Sequence, residues 1–435
     1  MELLLQIIPI FLLLIISIII IIIFSPKRWA QGRKKPGRQL APAPGWRLPV
    51  IGHLHHFLTS RQPPHRLLRE LSRKHGDVIR LELGEISHVL ISSAEAAMEV
   101  MRTHDVKFAQ RPPHPHYEKV VYGGMDLIQA PYGDYWRQLR RIATLELLTA
   151  KRVRSLRRVR EAEVRTLVAS IAASSPGATI DLTRMLFSFT RAAQEGKSRA
   201  EEEEEDLLDV LLNLQENDTT LGFRLSTDAV KGFLLDIFLA GSETPAALIE
   251  WTMSELIKNP EVMYKAQSEV RRVFGGKGRV EEAGICELAY LKLVIKETVL
   301  PRECREECRI SGYDIPLKTR ILVNAWAIAR DPRYWGEEAE KFMPERFLNN
   351  KVSFRGGDFE FLPFGAGRRM CPGMTFGLAA AELPLASLLF HFDWELPRGV
   401  EPTSFNMDEK FGVTLRRENH LELIPVVRYN PLPSI

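Results

Sequence analysis

Cysteine is scarce in this sequence, and its scarcity excludes a fold held together by disulfides. The 435 residues contain four cysteines, unevenly spaced in the second half of the chain: Cys286, Cys304, Cys308 and Cys371. Small secreted domains rely on many cysteines, whereas chains in a reducing compartment keep a few as free thiols. We therefore expect this chain to face the cytosol.

An excess of charge of one sign is missing as well. The chain has 59 basic and 55 acidic residues, for a formal net charge of +4. Domains that bind nucleic acid usually concentrate positive charge far more strongly than this, so we predict no nucleic-acid partner. With 45% hydrophobic residues, the chain is long and apolar enough to bury a large core.

One long apolar run lies at the N-terminus. Residues 3–24 carry no charge and are interrupted only by a glutamine, a proline and a serine. A run of about 20 apolar residues spans a bilayer, and the basic residues at 27–38 hold the C-terminal flank in the cytosol. A cleaved signal peptide would carry its charge before a shorter run, and a buried core helix does not suit so basic a flank. The pattern predicts a single transmembrane signal anchor over residues 1–26.

The rest of the chain divides into a connector and one large domain. Residues 27–49 are basic and then rich in proline, which predicts a stiff, irregular hinge. Residues 77–93 alternate apolar and polar side chains around a Gly-Glu turn, which predicts a β-hairpin. From residue 135 onward most segments place apolar side chains three and four residues apart, as amphipathic helices do. We predict a mainly α fold with small β-sheets over residues 50–435.

Cys371 lies in a glycine-rich loop, LPFGAGRRMCPG, with no second cysteine nearby. A single thiolate can be the protein ligand of a haem iron, because the porphyrin supplies four other donors. Such a loop needs glycines for close approach to the ring, N–H groups aimed at the sulfur, and an arginine for a haem propionate. The alternative is a buried structural cysteine in a tight turn, but the pattern F-x-x-G-x-R-x-C-x-G is far more restrictive. It favours haem ligation by Cys371.

A second segment, LAGSETPA, joins small residues to an acid and a hydroxyl. Glu243 and Thr244 are suited to proton delivery, while Pro245 deprives the carbonyl of Gly241 of its helical donor and predicts a kink. The alternative is a solvated helix side. The apolar runs on both flanks instead predict a helix buried nearly all round, which favours the functional interpretation.

Together these motifs carry a family resemblance. The cysteine loop resembles the haem-binding signature of the cytochromes P450, and the chain is similar to the plant A-type branch of that family. The similarity extends over nearly the whole length, in the family's order, through YGDYWRQLRR, AGSETPAALIEW, YLKLVIKET, FMPERF and the cysteine loop. It implies the cytochrome P450 fold, with one N-terminal transmembrane helix in the endoplasmic reticulum membrane and a catalytic haem domain in the cytosol.

The resemblance also implies the chemistry, which is monooxygenation by haem b (heme) with Cys371 as the axial thiolate ligand of the iron. Thr244 and Glu243 are expected to be the catalytic residues that manage protons. The residues expected to bind haem are Trp136, Arg140, Phe364, Gly367, Arg369, Cys371 and Gly373.

The expected partners follow from the same resemblance. They are NADPH-cytochrome P450 reductase, O₂, a small apolar substrate and the membrane. Arg137, Arg141 and the basic run at 151–160 would form a surface for the reductase. Taken alone, the run at 151–160 is more typical of a solvated helix face.

The chain departs from the family pattern in two places. The E-x-x-R motif has Glu297 but Leu300 in place of arginine, and Arg302 follows Pro301 outside the expected helix. The family's helices that roof the substrate pocket are missing near 186–206, where a small, polar and then acidic stretch (191–206) stands instead. These departures leave two alternatives open: an active monooxygenase, or a truncated, non-catalytic, membrane-anchored remnant.

Overall fold

The structure is a computed structural model. It describes residues 13–15, 17, 37–113, 115–195, 207–217, 225–295, 302–303, 307–412 and 414–431. These residues belong to two compact units, one comprising Met1–Gln110 and Pro301–Ile328 and the other comprising Arg111–Leu300 and Ala329–Ile435.

The described residues are mainly helical, with short strands in four small sheets. The helices are α1 (Leu54–Thr59), α2 (Pro64–His75), α3 (Ala94–Met98), α4 (Pro115–Val120), α5 (Asp134–Ile142), α6 (Ala150–Ser155), α7 (Arg157–Ala172), α8 (Leu182–Glu195), α9 (Leu207–Asn217), α10 (Thr227–Lys258), α11 (Pro260–Phe274), α12 (Ala289–Val294), α13 (Ala325–Ile328), α14 (Pro332–Trp335) and α15 (Met374–His391). The strands are β1 (Val78–Leu83), β2 (Ile86–Ile91), β3 (Ile180–Asp181), β4 (Arg302–Glu303), β5 (Cys308–Ile310), β6 (Tyr313–Ile315), β7 (Arg320–Val323), β8 (Phe392–Glu395), β9 (Glu409–Lys410), β10 (Arg416–Arg417) and β11 (Glu422–Val427). The mainly α class with small sheets is confirmed.

The first unit contains the predicted hairpin. Strands β1 and β2 pair antiparallel, from Val78 opposite Ile91 to Leu83 opposite Ile86. Gly84 makes the turn at a φ of 63°, a left-handed conformation that glycine adopts without a Cβ clash. Strand β7 adds parallel to β2 and β4 adds antiparallel to β7, which gives the order β1-β2-β7-β4. The buried face of the hairpin packs on α2 through Leu67, Leu71, Ile79, Leu81 and Leu90.

The second unit is built around helices α10 and α15. Both pack with α7, α8 and α11 in one apolar core, which includes Val168, Ile249, Met253, Leu385 and Leu389. Burying each such side chain contributes about 1.5–3 kcal/mol. Among the described residues, α10 and α15 are also the two helices long and apolar enough to cross a bilayer. Since they pack against each other in this core, we interpret them as core helices.

The predicted anchor lies almost entirely outside the described residues. Of residues 1–26, the structure describes 13–15 and 17, which are helical and exposed. Of the predicted hinge at 27–49, residues 37–47 form neither helix nor strand. Glu297, Leu300 and the acidic stretch at 196–206 also lie outside the described residues.

The basic run at 151–160 is only partly a solvated face. Arg154 and Arg158 are exposed, as expected for such a face. Arg160 is 2% exposed, and its Nη2 and Nε lie 2.6 and 2.8 Å from the two carboxylate oxygens of Glu282. The same Nη2 also donates to the carbonyl of Val153, at 2.6 Å. The solvated interpretation is therefore wrong for Arg160, whose partner is more than a hundred positions away in sequence.

Candidate cofactor site

The backbone around Cys371 is fixed by two left-handed glycines. Gly365 and Gly367 have φ values of 68° and 64°, where other residues would be strained. The resulting turns let the Cys371 N–H donate to the carbonyl of Phe364 at 3.0 Å and the Met370 N–H donate to Gly367 at 3.0 Å. The loop then enters α15, so that Cys371 lies just before the N-terminus of a buried helix.

The environment of the Cys371 sulfur suits a metal ligand. Burial raises the pKa of the Cys371 thiol, while the backbone N–H of Gly373 and the charge of Arg140 oppose that rise. A Cβ at position 373 would lie 4.0 Å from the sulfur, which is an ordinary van der Waals distance. Across the described parts of the chain, no cluster of three or more His, Cys, Asp or Glu side chains could hold a metal ion. A porphyrin would supply four further donors to an ion bound by Cys371.

Arg140 supplies the second feature of the site. It lies on α5, and burial lowers the pKa of its guanidinium while the Cys371 sulfur acts in the opposite direction. Within the described residues, this guanidinium forms no hydrogen bond and no ion pair. A half-buried guanidinium with five donors and no acceptor on the described part of the protein can bind a ligand carboxylate. A haem propionate fits this requirement.

Trp136 and Arg369 stack on each other, and their N–H groups donate to backbone carbonyls of the protein. The guanidinium carbon of Arg369 lies 4.3 Å from the centre of the Trp136 ring. Arg369 donates to the carbonyls of Leu127 at 3.2 Å and Ala130 at 2.6 Å, and the Trp136 indole donates to Leu127 at 3.0 Å. The two residues thus hold residues 127–130 beside the cysteine loop, whereas Arg140 keeps its guanidinium unbound.

Two buried aspartates fix the same segment, and the sequence analysis missed both. Asp236 on α10 accepts from the N–H groups of Leu127 at 2.7 Å and Ile128 at 3.0 Å through Oδ2. Asp126 accepts from the N–H of Gln129 at 2.9 Å. A lone acid inside the apolar run FLLDIFLA was the available signal for Asp236, because a charged residue in a buried helix needs a partner.

The middle of α10 is more open than its sequence predicts. Phe238 and Leu239 are 38% and 48% exposed, and Thr244 is exposed as well. The expectation of a helix buried nearly all round is therefore wrong for this stretch. The cause is that no described residue covers this face, although the flanking turns pack in the core. An uncovered apolar face of this kind suits a flat apolar ligand.

Thr244 and Glu243, the two residues predicted to handle protons, bond to different partners. The Thr244 hydroxyl donates to the carbonyl of Ala240 at 2.6 Å. Glu243 Oε1 accepts from Nη2 of Arg416 at 2.7 Å and from its Nε at 2.9 Å, and Arg416 also lies over the ring of Phe187. In the part of the chain that the structure describes, neither Thr244 nor Glu243 bonds to the cysteine loop. Helix α10 is assigned without interruption through Pro245, and the predicted kink stays a prediction.

The FMPERF segment lies in a 3₁₀ turn, Pro344–Phe347. Arg346 donates to the backbone carbonyls of Glu338 at 2.8 Å and Met343 at 3.3 Å. Glu345 instead accepts from Lys265 at 2.6 Å and from the hydroxyl of Tyr290 at 2.9 Å. Glu297 of the E-x-x-R motif lies outside the described residues.

Comparison with known proteins gives a consistent family match. The sequence model of the family described as Cytochrome P450 matches residues 42–195 and 191–422. Desmethyl-deoxy-podophyllotoxin synthase of Sinopodophyllum hexandrum is 44% identical over 94% of this chain and 96% of that protein. Cytochrome P450 71D445 of Euphorbia lathyris is 44% identical over 90% and 92%, and germacrene A hydroxylase of Barnadesia spinosa is 40% identical over 93% and 96%.

The fold is also that of solved cytochrome P450 structures. A zebra fish cytochrome P450 in a structure with abiraterone superposes with a TM-score of 0.73 and is 24% identical, covering 85% of this chain and all of that one. At that identity the likeness concerns the fold alone.

The comparisons also bear on the predicted shortening of the chain. The alignment with the Sinopodophyllum synthase runs over 494 positions, more than the 435 residues here, so that relative has residues with no counterpart in this chain. The family match breaks into two pieces that meet at 191–195, where the sequence analysis places the missing roof segment. Both observations support an internal deletion.

Proposed function

Because this chain belongs to the cytochrome P450 family, whose members are haem-thiolate monooxygenases, we propose that it inserts one oxygen atom from O₂ into a small hydrophobic plant metabolite. The electrons come from NADPH through NADPH-cytochrome P450 reductase. The observation that carries the proposal is the pairing of a desolvated thiol, Cys371, with the half-buried and unbound guanidinium of Arg140.

The residues present fit haem b. Cys371 would hold the iron through its thiolate, Arg140 would bind a propionate, and Gly365 and Gly367 would let the loop backbone approach the ring. When bound there, haem would supply the O₂ activation and the electron uptake that monooxygenation needs. Arg369 and Trp136 act by holding residues 127–130, because the structure uses their donors on backbone carbonyls of that segment.

The proton-handling roles belong to α10. The Thr244 hydroxyl is exposed, and on leaving the Ala240 carbonyl it presents Oγ1 as a donor to a ligand above the helix. Pro245 removes the N–H that would bind the Gly241 carbonyl, which leaves an acceptor for water at the same place. Glu243 forms an ion pair with Arg416. Its carboxylate would take part in proton transfer only after this ion pair breaks.

The substrate class is argued from the relatives and from the open face of α10. The relatives named above include a synthase and a hydroxylase. Phe238 and Leu239 offer an apolar surface that a small hydrophobic molecule would cover.

The location and the redox partner are inferred from the family resemblance, with support from charge and hydropathy. We place the chain in the endoplasmic reticulum membrane by residues 1–26, with residues 27–49 as the hinge and residues 50–435 as the haem domain in the cytosol. Arg137, Arg141, Arg154 and Arg158 are exposed in the second unit and provide basic charge for an acidic reductase surface.

A second candidate is a membrane-anchored remnant that does not oxidise substrate. The length of the alignment with the Sinopodophyllum synthase and the break in the family match favour it, because both indicate lost residues. Replacement of the E-x-x-R arginine by Leu300 favours it too, since Glu297 then lacks its expected partner.

The deciding experiment is the carbon monoxide difference spectrum of the reduced, purified protein. A strongly red-shifted Soret band, lost in Cys371→Ala and kept in Cys308→Ala, supports haem-thiolate ligation by Cys371. A band typical of histidine or neutral thiol ligation, or no haem, contradicts it. Product formed from apolar substrates with reductase and NADPH then separates the enzyme from the remnant. Haem retention with peroxide as the only product supports the remnant.

A further inference from the structure

Asp126 and Asp236 lie far apart in sequence but form a carboxyl pair inside the second unit. Asp126 is 0% exposed and Asp236 is 4% exposed, and their side chains are close enough to hydrogen bond. Oδ1 of Asp126 is buried and has no donor among the described residues. Two ionised carboxylates cannot be stable together in this position, since each is desolvated and each repels the other.

The groups that face the pair show where a proton would be held. From α4, the Tyr117 hydroxyl donates to Oδ1 of Asp236 at 3.4 Å, and from α5 Tyr135 donates to the carbonyl of Met125 at 3.0 Å. From the cysteine loop, the charge of Arg369 favours the ionised form of Asp126. The charged neighbour that acts most strongly on Asp236 is Asp126, and both N–H bonds from residues 127 and 128 fall on Asp236 Oδ2.

The titration agrees with the geometry. Burial first, and then the charge of Asp126, raise the pKa of Asp236 to about 8. Burial raises the pKa of Asp126 as well. The pair therefore binds one proton at neutral pH. This proton is shared by the two carboxyl groups and is not assigned to either one.

The pair connects α10 to the groups beside Cys371. Asp236 fixes the N–H groups of Leu127 and Ile128, and the carbonyl of Leu127 receives both the Trp136 indole and the Arg369 guanidinium. The segment 126–130 thus links α10 to Arg369, which lies two positions before Cys371. Loss of the Asp236 contacts would release the segment and, with it, the orientation of Arg369.

We propose that Asp126 and Asp236 share one proton and act as positioning residues for haem binding, by fixing the segment 126–130 that orients Arg369 and Trp136. The inference rests on the proposed haem site, although the shared proton itself does not depend on bound haem. The pair touches neither Cys371 nor the reacting atoms, so it acts through other residues.

The pH dependence has a definite sign. Asp236 has a folded-state pKa above its unfolded value of about 3.9, so its stabilising contribution is complete below that value and is lost as the pH rises toward 8. Between pH 6 and pH 9 the pair loses its proton, and the wild-type protein should release haem faster. Asp236→Asn removes this dependence, because the amide keeps an acceptor for the two N–H groups and donates to Asp126 at every pH.

The experiment compares three full-length variants with the wild type. Asp236→Asn is the conservative variant, Asp236→Ala removes the acceptor, and Glu250→Gln is the matched control. Glu250 is also a buried carboxyl on α10, with a pKa raised by burial, but it bonds to Thr183 and not to the segment. Two readouts are taken from pH 6 to 9: the rate of haem loss, and the infrared band of protonated carboxyl groups in the haem-free protein.

The expected results are specific to each variant. Wild type and Glu250→Gln lose haem about tenfold faster at pH 9 than at pH 6, Asp236→Asn shows a flat profile, and Asp236→Ala is fast throughout. The difference spectrum of wild type minus Asp236→Asn contains a protonated carboxyl band at pH 7 that disappears by pH 9. Absence of that band overturns the shared proton even if no variant binds haem. A pH profile of Asp236→Asn equal to that of wild type overturns the positioning role. Absence of haem from the wild type, with the band present, contradicts the proposed function and leaves the shared proton supported.

Discussion

Arg369 and Trp136 stack at 4.3 Å and donate to the same backbone oxygen, the carbonyl of Leu127. The cation over the indole face and the shared acceptor make the two residues one unit. Their contacts join the cysteine loop to α5 and to the segment before it. The family resemblance implies that each of them binds haem. In the structure both instead donate to the backbone carbonyl of Leu127.

The first prediction concerns that shared acceptor. Trp136→Phe keeps a ring beneath Arg369 but removes the indole N–H, so we expect the free energy of unfolding to fall by about 1 kcal/mol. Trp136→Ala also leaves a cavity in a buried position and should cost about 3–5 kcal/mol. Urea unfolding of the haem-free protein measures both. Equal losses for the two variants would show that the N–H, and not the ring, carries the interaction.

The second prediction concerns Arg140. Arg140→Met removes a charge that has no partner within the described residues, so the haem-free protein should be no less stable than wild type. Haem should dissociate at least about tenfold faster, since a charge-assisted hydrogen bond contributes about 1.5–3 kcal/mol. Transfer of haem to an acceptor protein measures this rate. Arg141→Met, at an exposed position on the same helix, is the control and should leave the rate unchanged.

The third prediction separates two similar hydroxyl groups on α10. Ser242 and Thr244 each donate to the carbonyl four residues earlier, at 2.6 Å in both cases. Thr244→Val should raise the share of NADPH-derived electrons lost as peroxide several-fold, because a proton donor is removed, while Ser242→Ala should not. Peroxide released per NADPH consumed, in the presence of reductase, is the measurement. An equal effect of both substitutions would assign the change to the helix and not to the Thr244 hydroxyl.

The fourth prediction concerns the buried ion pair of Arg160 and Glu282. Arg160→Met leaves the Glu282 carboxylate, 16% exposed, without its arginine and should lower the free energy of unfolding by about 2–3 kcal/mol. Arg157→Met breaks the ion pair with Glu161. Because the Arg157 side chain is 40% exposed, the free energy of unfolding should fall by less than about 1 kcal/mol. Urea titrations of the two variants give the comparison. A small loss for Arg160→Met would mean that Glu282 takes up a proton or reaches solvent.

The sequence was most informative where structure depends on near neighbours. The hairpin at 77–93 was predicted from alternation and a glycine turn, and the helices from periodic apolar side chains, because both patterns are local. The cysteine loop was recognisable for the same reason, since its glycines and Cys371 lie within a few positions of each other. The prediction was wrong for Arg160 and for the middle of α10, where burial depends on what distant residues cover.

The sequence by itself thus determined the family, the mainly α class, and the loop that presents Cys371. Only the tertiary structure decided that Arg140 lies unbound near the sulfur, that Glu243 is tied to Arg416, and that Asp126 meets Asp236. The physical reason is that turns and helical faces are set by residues a few positions apart. The charge and the proton of a buried group are set instead by neighbours that folding brings from elsewhere in the chain.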